Sequence, residues 1–133
     1  MASVTRPDLD LDDDVLDIIV RYPPLAADRH HINIKVENGV IFLSGHTSTA
    51  ISRRYLVDRV AEIPGVVGVN TDQLYDDPTI VREVGQVLPL GVIANSRYGN
   101  VVLSGKEPPD ADALVERIAQ IPGVRRVIPA FIK

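Results

Sequence analysis

The chain has 133 residues, of which 45% are hydrophobic and 24% are charged, the composition of one globular domain or two very small ones. It contains no cysteine, which excludes disulfides, thiolate metal ligands and cysteine nucleophiles. Its formal net charge of -4 argues against a nucleic-acid partner, because phosphate contacts require clustered Lys and Arg.

The N-terminal part combines an acidic run with a helical pattern. We expect residues 1–11 to form a flexible tail that leads into a helix. The apolar face of that helix consists of Val15, Ile18, Ile19 and Tyr22. The acidic run contains Asp8, Asp10, Asp12, Asp13, Asp14 and Asp17. Its spacing lacks the glycine turn and distal glutamate of an EF-hand loop, so helix capping is favoured over a Ca²⁺ or Mg²⁺ site.

The next stretch predicts a hairpin, a helix and a third strand. Pro23-Pro24 ends the first helix, and Ala26 to His31 is expected to be a polar connector. Ile32, Ile34 and Val36 alternate with polar residues, and Asn38-Gly39 is a strong turn signal. The returning strand 40–43 is apolar on both faces, which is typical of a central strand. The following helix has its buried stripe at Leu56, Val57, Val60 and Ile63. A strand over 66–74 comes next.

Much of this segment recurs later in the chain. Leu43-Ser44-Gly45 returns as Leu103-Ser104-Gly105, and Ile63-Pro64-Gly65-Val66 returns as Ile121-Pro122-Gly123-Val124. The second copy is expected to begin with a helix that has Asp77 as its cap and Pro78 in its first turn, and Pro129 indicates an edge or a bulge in its last strand. The sequence therefore predicts an α+β fold of two αββαβ repeats, residues 12–76 and 77–133. Each repeat would be a small three-stranded mixed sheet with two helices on one face.

Apolar residues on both faces of the central strands also predict how the repeats associate. Two helices can cover only one face of a sheet, so the other face needs a partner. We expect the sheets of the two repeats to pack or pair with each other, or the chain to form a homodimer. The alternative is that the connector over 26–31 folds over the open face.

The pattern of a GVIFLSG strand, a helix, IPGV and a final strand resembles the BON domain, named for bacterial osmotically inducible and nodulation proteins. The structural motif that carries the resemblance consists of glycines at Gly39, Gly45, Gly65, Gly99, Gly105 and Gly123. The resemblance implies a non-catalytic binding or interaction module that contacts phospholipid headgroups or a partner protein in a stress response. An alternative that it implies is a regulatory domain that senses a small ligand or ion at a site between the repeats.

No constellation in the sequence favours catalysis or a cofactor. Ser44 and His46 lack a third member, and neighbours at a strand end point apart. His30, His31 and His46 could be considered as zinc ligands, but adjacent histidines are poor joint ligands and a solvated loop is favoured. We therefore expect no enzyme activity, no metal and no cofactor.

Basic residues are the candidates for binding, because Arg suits bidentate phosphate contacts. The candidate binding residues are Arg53, Arg54, Arg59, Arg117, Arg125 and Arg126. The alternative is that Arg54 pairs with Asp58 and that Arg59 and Arg117 lie at the exposed rims of amphipathic helices.

The N-terminal sequence MASVTRPDLDLDDD has no apolar run, so neither a signal peptide nor a transmembrane segment is expected. This predicts a cytoplasmic location, or a periplasmic one if a signal sequence has been removed.

Overall fold

The structure is a computed structural model that describes residues 6–133. The helices within this range are α1 (Asp8–Arg21), α2 (Pro23–Asp28), α3 (Ala50–Ala61), α4 (Asp77–Gly85) and α5 (Ala111–Ala119). The strands are β1 (Ile32–Glu37), β2 (Val40–Thr47), β3 (Gly68–Asp76), β4 (Val92–Arg97), β5 (Asn100–Lys106) and β6 (Arg126–Ile132). None of these helices is long and apolar enough to cross a membrane.

The predicted fold class is confirmed. The strands form two three-stranded sheets, in the orders β1-β2-β3 and β4-β5-β6. In each sheet the central strand is antiparallel to the strand before it and parallel to the strand that follows it through a helix. The strand with Pro129 lies at an edge of its sheet, where the missing N–H costs no ladder hydrogen bond.

Each repeat has a hydrophobic core of its own between its sheet and its helices. In the first repeat Ile41 and Leu43 of β2 pack with Leu56 and Val60 of α3, all at most 1% exposed. In the second repeat the corresponding strand residues Val101 and Leu103 are fully buried, with Ile80 and Val84 of α4 and Ile118 of α5. The helical stripes read from the sequence are therefore the core faces.

The first helix begins at Asp8, three residues before the predicted end of the tail at residue 11. The Pro7 carbonyl accepts hydrogen bonds from the N–H groups of Asp10 and Leu11, which starts the helix. Leu11 is fully buried, so this first turn belongs to the core. The tail over residues 1–11 is thus predicted too long, and its first five residues lie outside the described range.

The expected connector over 26–31 is mostly helical. It contains the end of α2 and a 3₁₀ turn at Arg29–His31. Pro23 and Pro24 occupy the first positions of α2, where a missing N–H breaks no intrahelical bond. Leu25 is fully buried and holds α2 against the core.

The glycine motif marks special backbone positions. All six of its glycines have positive φ values. The tightest are Gly45 and Gly105, where a Cβ atom would collide with the carbonyl oxygens of His31 and Gly91. These two glycines allow the first strand of each repeat to start close against the middle strand.

The two sheets do not pair or pack with each other, so the prediction that the repeats associate through their sheets is wrong, whereas the homodimer stays a prediction. They are separate sheets, and β3 runs directly into α4. One face of each sheet is covered by its helices and the other is open. The prediction rested on central-strand residues that point away from the helices. These residues, which include half-buried Phe42 and Val102, lie on the open faces.

Candidate functional site

The hairpin turn of the second repeat lies against the first repeat. The Tyr98 ring stacks on the His31 ring, with centroids 3.5 Å apart and planes within 6°. The Tyr98 hydroxyl donates to Asp28 over 2.7 Å, and Asp28 also accepts from the N–H and the hydroxyl of Ser48, over 2.8 and 2.6 Å. Asp28 is fully buried, and these three hydrogen bonds compensate the loss of water around its carboxylate.

This contact changes the acidity of the tyrosine. The hydrogen bond with Ser48 lowers the pKa of the Tyr98 phenol, but burial and the hydrogen bond to the Asp28 carboxylate outweigh it. The pKa of Tyr98 therefore lies above its ordinary value. The neutral phenol, which can donate to Asp28, is the form that the junction between the repeats favours.

A second contact between the repeats uses His46, which is only 5% exposed. Its Nε2 lies 2.6 Å from the carbonyl oxygen of Gly123, so Nε2 carries the proton and donates. The Tyr75 ring lies 5.7 Å from the His46 ring. His46 thus binds a backbone carbonyl of the other repeat rather than serving as a base for Ser44.

Between these two contacts lies a cleft of about 520 Å³. We call it the inter-repeat cleft. It is lined by His30, His31, Asn33, Ser44, Gly45, His46, Gln73, Tyr75, Gly123, Val124 and Arg125. All three histidines of the chain are among these residues, although the sequence analysis favoured a solvated loop for two of them.

The histidines do not form a metal centre. Within residues 6–133, no group of three or more His, Cys, Asp or Glu side chains is placed to hold a metal ion. Here Nε2 of His46 is occupied by the Gly123 carbonyl and the His31 ring is stacked on Tyr98. The cleft is therefore a polar recess rather than a cage of converging ligands.

The six candidate arginines are spread over the molecule. Arg53 on α3 donates to the Leu74 carbonyl over 2.9 Å, which joins the helix to β3. Arg54 lies 4.0 Å from Asp58 and Arg59 lies 3.8 Å from Glu62, both as exposed pairs within α3 or at its end. Such exposed pairs contribute little to stability.

The other three arginines belong to the second repeat. Arg117 is exposed on α5, on the helical side of the sheet, and Arg125 lines the inter-repeat cleft. Arg126 pairs with Asn100 across β5 and β6, one position out of phase with the buried Val101, so it lies on the open face. The structure therefore does not gather the six into one basic patch.

The family of the chain follows from its first repeat. Residues 7–74, just over half of the chain, match the family model of the BON domain. This chain belongs to the BON domain family. No match is found among the curated proteins.

Solved structures share the fold of both repeats. Two structures of CdsD, a structural protein of the type III secretion system of Chlamydia trachomatis, superimpose with TM-scores of 0.75 and 0.68 at 15% and 21% identity. The second is described as the C-terminal domain of that protein. The matches cover 95% and 96% of this chain, which spans 63% and 66% of those chains, less than two thirds of their length. At these identities the likeness shows the fold alone.

The matched BON repeat and the second repeat share a feature that the sequence analysis missed. Asp8, in the first turn of α1, accepts from the N–H groups of Asn38 and Gly39 over 2.9 and 3.0 Å. Asp77, in the first turn of α4, accepts in the same way from Tyr98 and Gly99 over 2.7 and 3.0 Å. In both repeats an aspartate at the helix start therefore fixes the hairpin turn. The sequence signal for this contact was the aspartate at the start of the first helix in each repeat. That aspartate was interpreted only as a helix cap.

Proposed function

We propose that this BON domain protein is a non-catalytic interaction module that binds protein through the open face of its second sheet. We call this surface the second-sheet face. It consists of Ile93, Asn95, Arg97, Asn100, Val102, Ser104, Lys106, Arg126, Ile128, Ala130 and Ile132. Its exposed apolar residues are the observation that carries the proposal, because Ile93 is 67% exposed and Ile132 is 73% exposed.

The first repeat serves as an internal comparison, because it has the same topology. Across its open face the register aligns Lys35 with Phe42 and Asn70, and Asn33 with Ser44 and Gln73. The outer strands of that face are therefore polar. The equivalent rows of the second sheet align Asn95 with Val102 and Ile128, and Ile93 with Ser104 and Ala130.

The second-sheet face thus differs from a matched surface of the same chain by apolar residues in its outer strands, namely Ile93 in β4 and Ile128, Ala130 and Ile132 in β6. Contiguous exposed apolar residues with a polar rim are typical of protein interaction sites. The rim here is basic, with Arg97 and Arg126 at one end and Lys106 at the other. A partner with apolar and acidic side chains fits this chemistry.

The chain itself carries a surface of that kind, on the side of α1 that points away from the core. Leu9 lies about two turns before Leu16, and Leu16 lies about one turn before Val20, so the three share one side of the helix. Their side chains are 70%, 47% and 48% exposed. Exposed Asp10, Asp13 and Asp17 lie beside them. We call these six residues the α1 outer face.

The occupant that fits is therefore a second copy of this chain, whose α1 outer face docks on the second-sheet face. Such a contact joins two different surfaces, so it repeats from copy to copy and forms open chains or rings. CdsD, which shares this fold, is described as a structural protein. Assembly of many copies would be a structural role of the same general kind.

Sedimentation velocity over a range of protein concentrations tests the proposal. We expect the wild type to associate as concentration rises and Ile132→Lys to weaken association by about tenfold or more, because the contact would bury a charge in place of an exposed apolar side chain. Ile51→Lys is the matched control, since Ile51 is 75% exposed on α3, away from both surfaces, and should leave association unchanged.

A phospholipid surface, which the family resemblance implies, is the competing partner. Co-sedimentation with vesicles of phosphatidylglycerol, at low and at high salt, distinguishes the two. A wild type that stays monomeric at all concentrations but binds these vesicles through Arg97 and Arg126 would reject the protein-binding proposal. Association that persists without lipid and is lost in Ile132→Lys supports it.

A further inference from the structure

The inter-repeat cleft differs from the rest of the surface in charge. The chain has 18 acidic residues, yet within the described residues no Asp or Glu lines this cleft. Three other depressions on the described surface do contain carboxylates: Asp110 lines two of them, and Asp72, Asp76 and Glu83 line the third. An acid-free recess in an acidic protein is suited to an anion rather than a cation.

The lining side chains supply hydrogen-bond donors from both repeats. Arg125, which forms no ion pair with a described residue, comes from the loop before β6. His30, His31 and His46 come from the first repeat, and Asn33 and Ser44 add an amide and a hydroxyl. Guanidinium and imidazolium groups are strong donors to phosphate oxygens.

One histidine is held in place at the cleft. Nε2 of His46 donates to the carbonyl oxygen of Gly123, which fixes the ring beside the cleft. The other ring nitrogen, Nδ1, is an acceptor in the neutral ring, so it donates to an anion only in the imidazolium form.

From this arrangement we infer that the inter-repeat cleft binds a small phosphate-type oxyanion, either free or as the phosphate of a larger molecule. The Arg125 guanidinium offsets its charge, and the side chains of His30, Asn33 and Ser44 supply further hydrogen bonds that orient it. The ligand then bridges the repeats, because Arg125 belongs to one repeat and the histidines belong to the other. This site is separate from the second-sheet face, so either inference can fail alone.

The side chains beside the histidines are aromatic or basic. Tyr75 lies beside His46, Tyr98 stacks on His31, and Arg125 lines the same cleft.

Isothermal titration with inorganic phosphate, at an ionic strength held constant with NaCl, tests the inference. We expect saturable binding. Arg125→Gln should weaken it by at least about tenfold, and exposed His30→Gln should also weaken it, because each variant removes a donor to the phosphate. Arg126→Gln is the matched control, because the neighbouring Arg126 lies on the second-sheet face and should change binding by less than about twofold.

Backbone amide NMR of the wild type provides a measurement that does not depend on a variant. Phosphate, but not equivalent NaCl, should shift the resonances of Gly45, Gly123 and Arg125. Competition with glycerol phosphate and with phosphatidylglycerol vesicles then distinguishes the two sources. A cleft that takes a lipid headgroup should lose phosphate to both, whereas a cleft that takes only a small soluble phosphate should lose it to glycerol phosphate alone. Equal phosphate affinity in wild type and Arg125→Gln, or shifts reproduced by NaCl, would overturn the inference.

Discussion

At the scale of single residues, buried carboxylates hold the turns of this molecule. Asp77 is 7% exposed and accepts from the Ser96 hydroxyl and from the N–H groups of Tyr98 and Gly99. Asp8 plays the same part for the first hairpin, but its bond to Asn38 is exposed to solvent. Water can replace the carboxylate more easily at the first turn than at the second.

We therefore expect Asp77→Ala to lower the free energy of unfolding by about 2–4 kcal/mol, because it leaves buried donors without a partner. Asp8→Ala should cost about 1 kcal/mol. Urea unfolding measures both values. Glu116→Ala, an exposed site on α5, should stay within about 0.5 kcal/mol, and equal costs for Asp77 and Asp8 would contradict the role of burial.

Little of this residue-scale detail could be predicted from the sequence. The hairpin at Asn38-Gly39 has a local signal, and both residues have positive φ as such a turn requires. The turn is held by Asp8, which lies about thirty residues earlier in the sequence. A local sequence pattern cannot predict a hydrogen bond between residues so far apart. The start of α4 shows the same limit. Asp77 was expected to cap this helix, but the cap is Asp76, which accepts from the N–H of Thr79, while Asp77 accepts from the N–H of Tyr98 in the hairpin.

At the scale of elements, hydrophobic spacing predicted every strand and the long helices. Thr49 caps α3 through the N–H of Ser52, and Leu56 and Val60 lie fully buried on the stripe that the spacing defines. The element that spacing missed is α2, which is too short to show a helical period. Its Leu25 enters the core, but one apolar residue among polar neighbours resembles a loop.

The stripe of α3 gives a test at this scale. Leu56→Ala should lower the free energy of unfolding by about 2–5 kcal/mol, because it removes buried methyl groups and leaves a cavity. Ile51→Ala on the exposed side of the same helix should change it by less than about 0.5 kcal/mol. Thermal or urea unfolding compares them, and a Leu56 variant as stable as the Ile51 variant would show that α3 does not pack as described.

At the scale of the whole molecule, the repeats meet through side chains rather than through their sheets. The prediction of sheet packing rested on apolar residues of the open faces, which are real but remain uncovered within the chain. The side chains that form the junction are the buried Asp28, the turn residue Tyr98, and the two histidines His31 and His46, and none of them has a sequence signal for such a contact. The inter-repeat cleft exists because these side chains bring the two repeats into contact. The sequence therefore shows three histidines but does not show that they line one cleft.

The Tyr98 contact makes the junction sensitive to alkaline pH. Because the pKa of Tyr98 is raised in the folded chain, the stability that its neutral form contributes is fully present below the unfolded value of about 10 and is lost as pH rises through the folded value. At pH 8 we expect Tyr98→Phe to lower the free energy of unfolding by about 1–3 kcal/mol.

Urea unfolding at pH 8 and above pH 10 checks this expectation, and the difference between wild type and Tyr98→Phe should shrink at the higher pH. Tyr75→Phe is the control, because the Tyr75 hydroxyl makes only a long, exposed contact of 3.4 Å with Gln73. A difference that grows with pH would show that the Asp28 contact does not depend on the neutral phenol.

Association between copies through two complementary surfaces can be tested most directly by reversing the charge of each surface in a separate variant. One variant carries Asp10→Lys, Asp13→Lys and Asp17→Lys on the α1 outer face. The other carries Arg97→Glu, Lys106→Glu and Arg126→Glu on the second-sheet face. Each variant alone opposes like charges at the contact, whereas a mixture restores an opposite-charge contact in both directions.

Sedimentation velocity of the two variants, separately and mixed in equal amounts, is therefore the decisive measurement. We expect each variant to remain monomeric at concentrations where the wild type associates, and the mixture to assemble again. A wild type that associates while the mixture remains monomeric would contradict the head-to-tail contact. So would either variant alone associating as strongly as the wild type.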